Sequence, residues 1–120
     1  QQRMLEKEAL VALADTTLDP TSMQVRRVAL KDEQTICGEV NRKLQSGEFE
    51  GFQVFLLDRK LGKATVAEPY ATQTTDGTKP IEICADAEQK RRFLKKKAEA
   101  DAEFSRELDA FARETRIREL

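Results

Sequence analysis

Glu39, Asn41 and Lys43 stand two residues apart in the run Cys37-Gly38-Glu39-Val40-Asn41-Arg42-Lys43. On a β-strand that spacing sends all three side chains to one face. A carboxylate and an amine on one face could act as acid and base. No second carboxylate at a fixed distance, nucleophile or metal set accompanies them in the sequence, so the row reads as a ligand-binding or hydrogen-bonding rim, or as ordinary sheet surface. The chain contains no histidine, which removes Ser-His-Asp and Cys-His catalysis and His-ligated zinc. Cys37 and Cys84 are not a CxxC pair, and two thiols alone make a poor metal site. They read either as one disulfide, contributing about 4 kcal/mol through loop closure, or as two buried thiols. The glycines form neither GxxxxGK[ST] nor GxGxxG, so no phosphate loop is present. These readings imply no enzyme, no cofactor and no metal.

Two further groups lie in the last third. Lys90, Arg91, Arg92, Lys95, Lys96 and Lys97 place six cations within eight residues. Glu99, Asp101, Glu103, Glu107 and Asp109 follow at once and repel the same polyanion, and no tryptophan or tyrosine interleaves for base stacking. The block therefore reads as a solvated helix rather than a nucleic-acid surface. Phe104, Leu108 and Phe111, spaced four and three apart, form an apolar stripe on the same helix, with Ile117 and Leu120 beyond it. The stripe must bury against the domain itself or against a partner, such as a second copy. Lys97 interrupts any heptad, which argues against a long coiled coil.

The elements that position these groups follow from periodicity. Leu5, Ala9, Ala12 and Leu13 share one face of a helix over residues 2–17, ended before Asp19-Pro20. Strands are expected over 24–30, 35–44, 49–57 and 63–68. In the first, Val25 and Arg27 should alternate with Arg26 and Val28. In the second, Ile36, Gly38, Val40, Arg42 and Leu44 oppose Cys37, Glu39, Asn41 and Lys43. The third is apolar on both faces (Phe49, Phe55 and Leu57; Phe52, Val54 and Leu56), as a strand covered on both sides must be. Residues 69–78 read as a polar loop turning at Asp76-Gly77, and Pro80–Cys84 as a short extended stretch. Asp86 with Gln89 resembles a capping box opening a helix to about Arg118, supported by pairs such as Glu88–Arg92, Lys95–Glu99 and Lys97–Asp101. The expected fold is α+β: an N-terminal helix, a four-stranded antiparallel meander and a long C-terminal helix. One helix should cover one sheet face, with the start of the long helix packed nearby. Residues 1–97 form the compact part and 98–120 a charged helical extension, the apolar stripe lapsing between Lys97 and Ala102.

Balance bounds the partners. With 120 residues, 21 basic and 22 acidic side chains and a net charge of −1, the chain has no general pull toward nucleic acid or anionic lipid. No apolar run is long enough to span a membrane. A start at Gln1-Gln2-Arg3 is expected of a mature or trimmed form.

Leu18-Asp19-Pro20-Thr21-Ser22, Arg27-Val28, the Cys37–Lys43 run, then Gly51-Phe52 and Phe55 resemble a family of small bacterial proteins whose pattern runs Leu-x-Asp-Pro-x-Ser, Arg-x-Val, Cys-Gly-Glu-Val-Asn-x-Lys and Gly-Gly-Tyr-x-Gly-Phe-x-x-Phe. Gly47-Glu48-Phe49 stands where the family has Gly-Gly-Tyr, and the charged terminal helix is longer than usual. Members are exported or lipid-anchored and their molecular function is unassigned. The resemblance implies a Cys37–Cys84 disulfide and a periplasmic or cell-envelope location, and it supplies no enzyme. The expected function is interaction with another protein in the envelope, as an inhibitor, an immunity factor against a toxin, or an accessory subunit of an assembly. Phe104, Leu108 and Phe111 would be its docking anchors. The alternative is a small-ligand or cell-wall-fragment binding module using Glu39, Asn41, Lys43 and the loop Tyr70–Thr78.

Overall fold

A computed structural model describes residues 2–69 and 75–119, with side chains at 2–69, 79–103 and 106. Helix α1 (Gln2–Leu13) runs into a single 3-10 turn at Ala14–Thr16. A second such turn, Pro20–Ser22, leads into the sheet. There the Thr21 hydroxyl donates to Asp19 Oδ1 at 2.7 Å. The Thr21 and Ser22 hydroxyls hold the Asp19 carboxyl below its usual pKa. Strands β1 (Gln24–Asp32), β2 (Thr35–Lys43), β3 (Phe49–Asp58) and β4 (Lys63–Val66) pair antiparallel in the order β1-β2-β3-β4. Helices α2 (Thr75–Cys84) and α3 (Ala87–Glu119) complete the chain. The fold is α+β, with the expected N-terminal helix, four-stranded antiparallel meander and C-terminal helix.

Both faces of the sheet are covered because both carry apolar side chains. On one, Ala9 and Leu13 of α1 pack on Val28, Ile36, Val40, Phe55, Leu57, Ala64 and Val66, with Leu5, Ala12, Met23 and Val25 at the margin. Gly38 belongs to this face. A Cβ there would come within 2.7 Å of the Phe55 ring and 3.2 Å of the Val28 backbone, so the ring fills space that only glycine leaves open. On the other face Val54, Ala67 and Phe93 form a smaller cluster with Ile81, Cys84 and Ala85. β3 is the strand that serves both.

The stretch before Cys84 differs from the extended reading. It is the second half of α2, Pro80 included. The reason lies in the spacing of Ile81 and Cys84. Three residues apart, they would face opposite ways on a strand, whereas a helix turns both toward the Val54–Phe93 cluster. Of the polar loop expected before it, 70–74 lie outside the described residues and 75–78 are helical backbone.

α2 ends at a disulfide between Cys84 and Cys37 of β2, closing a separation of 47 residues. Asp86, two residues later, caps α3 with the capping box intact. The Asp86 N–H donates to Gln89 Oε1, and the Gln89 N–H donates to Asp86 Oδ1, each at 2.8 Å. α3 has 33 residues and reaches about 50 Å at 1.5 Å per residue. Among its described side chains, those of the first turns pack on the sheet. Phe93 is buried; of the described side chains after it, Lys96 and Ala100 are half-buried and the rest exposed. The molecule measures 67 × 29 × 25 Å with a radius of gyration of 17.4 Å, against about 14 Å for a compact chain of this length.

Joining the sheet to the α2–α3 corner should make the bridge a large part of the stability. Reduced protein, or Cys84→Ser, should lose about 4 kcal/mol in urea unfolding. The unreduced protein should give no free-thiol labelling and an intact mass two hydrogens below the dithiol.

Candidate functional site

The alternation of β2 sends Cys37, Glu39, Asn41 and Lys43 to the face shared with α2 and α3, as their spacing requires. Their roles differ from an open rim. Glu39 is 1% exposed. α3 crosses above it, and three guanidiniums close on its carboxylate. Arg26 Nε donates to Oε1 at 2.9 Å, Arg92 donates from a terminal nitrogen to Oε2 at 3.3 Å, and Arg27 Nε lies 3.7 Å from Oε1. A lone buried carboxylate would be strongly disfavoured; here it is the inner member of an ion cluster.

Asn41 is half-buried and has a definite structural task. Its Oδ1 accepts the Gly51 N–H at 2.9 Å. Gly51, at φ +92°, is the extra residue of a bulge in β3. Between the pairs Asn41↔Phe52 and Lys43↔Phe49, β2 advances two residues and β3 three. Lys43, also half-buried, sets its ammonium 6.0 Å from the centroid of the Phe49 ring. Of the three residues read as a rim, Glu39 is thus a buried ion partner, Asn41 pins a bulge and Lys43 borders the edge.

A second bulge was missed by the simple alternation in β1. Between Arg26↔Glu39 and Ala29↔Cys37, β1 carries one residue too many, and Arg27 takes φ +55°. Val25 and Val28 therefore both join the α1-side core, while Arg26 and Arg27 both reach Glu39. The sequence does hold the signal: two valines three residues apart cannot share a face of a regular strand. Arg26 also lies flat on Phe52, its guanidinium carbon 3.8 Å from the ring centroid.

The opposite face carries the mirror arrangement. Arg42 is buried at 7% exposure. It donates to both carboxylate oxygens of Glu50 (2.6 and 3.2 Å), to Glu68 Oε1 (3.1 Å) and to the Thr16 carbonyl (3.0 Å) that ends α1 and its 3-10 turn. Burial opposes its charge, but Glu50 and then Glu68 outweigh that and raise its pKa above the usual arginine value. An open cleft of about 660 Å³ lies here, bordered by Arg42, Glu50, Gln53, Glu68, Leu18 and Leu44. Gln53 is 7% exposed, and its side-chain amide makes no hydrogen bond among the described residues.

The basic block is spread around α3, as expected of a solvated helix, except that Arg92 turns inward to Glu39 instead of pairing with Glu88. Neither Lys95–Glu99 nor Lys97–Asp101 closes to an ion pair. The stripe Phe104, Leu108 and Phe111 sits on the α3 backbone, its side chains outside the described residues. Among the described residues no group of His, Cys, Asp and Glu could hold a metal ion, and no helix is long and apolar enough to cross a membrane. No protein-family model, curated protein or solved structure matches the chain.

Glu39→Gln should lower stability by about 2–3 kcal/mol in urea unfolding. That is somewhat less than a stranded buried charge costs, since the arginines can turn to water. Asn41→Ala should cost about 1 kcal/mol, with faster amide exchange concentrated at Gly51.

Proposed function

We propose that the protein is a non-enzymatic interaction protein of the bacterial cell envelope that docks another protein through the free length of α3. The observation that carries this reading is the unequal use of α3. It is rooted by Phe93, Arg92 and the capping box, and then runs on with exposed side chains from Lys97 to Glu103, Ala100 alone among these being half-buried. A helix of this length gains most of its stability from packing an apolar face. The sequence supplies such a face, Phe104, Leu108 and Phe111, on the part that leaves the body. Apolar anchors would supply affinity, and the charges around them orientation and encounter rate. The disulfide and the resemblance of the Leu18–Phe55 segment to exported bacterial proteins support the envelope location. An inhibitor, an immunity factor or an assembly subunit would each use such a projecting element.

A second reading is favoured by one observation. The cleft beside Arg42, with the unbonded amide of Gln53 and the half-exposed carboxylate of Glu68, offers donors and acceptors to a small neutral ligand such as a cell-wall fragment.

A photocrosslinking residue placed in turn at Phe104, Leu108, Phe111 and, as control, Lys60 separates the readings in host cells. The expected result is one discrete adduct, shared by the helix positions, absent at Lys60 and found in the envelope fraction. It should disappear from the Leu108 position when Phe104→Glu and Phe111→Glu are combined, with the circular dichroism of the folded domain retained. Equal adducts at Lys60, none at the helix, or a cytosolic protein with free thiols would overturn the proposal.

A further inference from the structure

A single stripe runs along α3 from its root into its free length. Leu94, Lys97, Asp101, Phe104, Leu108 and Phe111 follow at alternating steps of three and four, the spacing of one helix face. The same steps lead back through Lys90 to Ala87. The side chains of Lys90, Leu94, Lys97 and Asp101 are exposed, Leu94 at 60%. The body therefore leaves this stripe uncovered even where Phe93, next in sequence to Leu94, is buried. Lys97 and Asp101 lie four apart on one chain and do not pair, and neither makes an ion pair with any other described residue.

The stripe is its own complement when reversed. Leu94 stands as far before Glu99 as Phe104 stands after it, Lys97 as far before as Asp101 after, and Ala87 as far before as Phe111 after. Charge follows the same order. Residues 90–97 carry six cations, and residues 99–109 carry five carboxylates against one arginine. Two α3 helices laid parallel would set like blocks together. Laid antiparallel about Glu99, each basic block meets the other's acidic block. Glu99 lies nearly half a turn round the helix from Lys97 and Asp101, so its two copies do not meet at the crossing. Ala98 and Ala100 flank the crossing and leave room for axes about 8 Å apart.

We propose that the protein forms a two-fold symmetric dimer through α3, its helices antiparallel and crossing at residue 99. The proposal rests on the reading of α3 as a docking element and names its partner as a second copy of the chain. In this register Lys97 pairs with Asp101 of the second copy on each side of the axis, and Leu94 packs against Phe104 of the second copy. Arg91 comes beside Asp109 of the second copy, and Ala87 leaves space for its Phe111. Lys90 covers Leu108 of the second copy with its aliphatic stem. Residues 87–111 of the two copies overlap over about 36 Å, so each free end lies along the other's root. The break that Lys97 makes in an apolar heptad then fixes the register, because slipping the helices would leave Lys97 and Asp101 against apolar side chains. The same patch serves both copies, so assembly closes at two.

The test is sedimentation of the full oxidised chain from low to high micromolar concentration. The expected result is a monomer–dimer equilibrium that weakens as salt is raised. Arg91→Glu with Lys97→Glu, or Asp101→Lys with Asp109→Lys, should each weaken the dimer at least about tenfold. An equimolar mixture of the two variants should recover the wild-type affinity as a heterodimer, since every reversed charge then meets its opposite. Lys60→Glu with Lys63→Glu, an equal change of net charge on exposed positions of the sheet, should leave the dimer unchanged. Independently of any variant, a carbodiimide should join Lys97 to Asp101 between isotope-labelled and unlabelled wild-type copies. A monomer at high micromolar concentration, a mixture that does not recover, links within single copies only, or an equal loss in the sheet variant would overturn the proposal. A monomer that still gives an adduct with a different protein from Phe104 in host cells removes the second copy and leaves the docking reading standing. A monomer with no such adduct removes both.

Discussion

A strand that is apolar on both faces cannot be left bare on either, and β3 imposes that condition on the whole molecule. Phe55 and Leu57 require α1; Val54 requires the α2–α3 corner. Burial of such side chains contributes about 1.5–3 kcal/mol each, more than any exposed ion pair. The second face is only partly apolar, since Glu39 lies beneath the same helix that brings Phe93. The cover there is therefore assembled from unlike parts: a small apolar cluster, a disulfide and an ion cluster, arranged in sequence across the sheet.

Among the described residues β2 carries the two buried charges, and it carries them on opposite faces. Glu39 points toward α3 and gathers three arginines; Arg42 points toward the end of α1 and gathers two glutamates. Neither ion could be buried alone. Each is over-compensated by its neighbours, one side with an excess of positive charge and the other with an excess of negative charge. A chain that is nearly neutral in total thus carries two clusters of opposite excess charge on the two faces of its sheet, which composition alone conceals.

Much of the architecture was legible because it follows from period and composition. The apolar stripe of α1, the doubly apolar β3 and the reciprocal Asp86–Gln89 cap are local patterns with local causes. What was not legible depends on bulges and on elements distant in sequence. Strict alternation misassigned Arg27, because one extra residue in β1 shifts every side chain beyond it. Glu39 was placed at a rim because nothing near it in sequence announces that α3 will pass overhead. Pro80 argued for extended chain, and was overruled by the need of Ile81 and Cys84 to face the same cluster. Asn41 was read with Glu39 and Lys43 as one rim; its partner, the backbone of Gly51, becomes visible only once the strands are in register.

The kink at Arg27 has a bearing on the outer margin of the sheet. β1 is an edge strand of nine residues, long enough to template pairing with another chain. With a residue in the left-handed region and charged side chains at Arg26, Arg27 and Lys31, its row of unused amides and carbonyls is broken and twisted out of line. The same distortion that crowds positive charge around Glu39 therefore opposes edge-to-edge pairing of β1 with another strand.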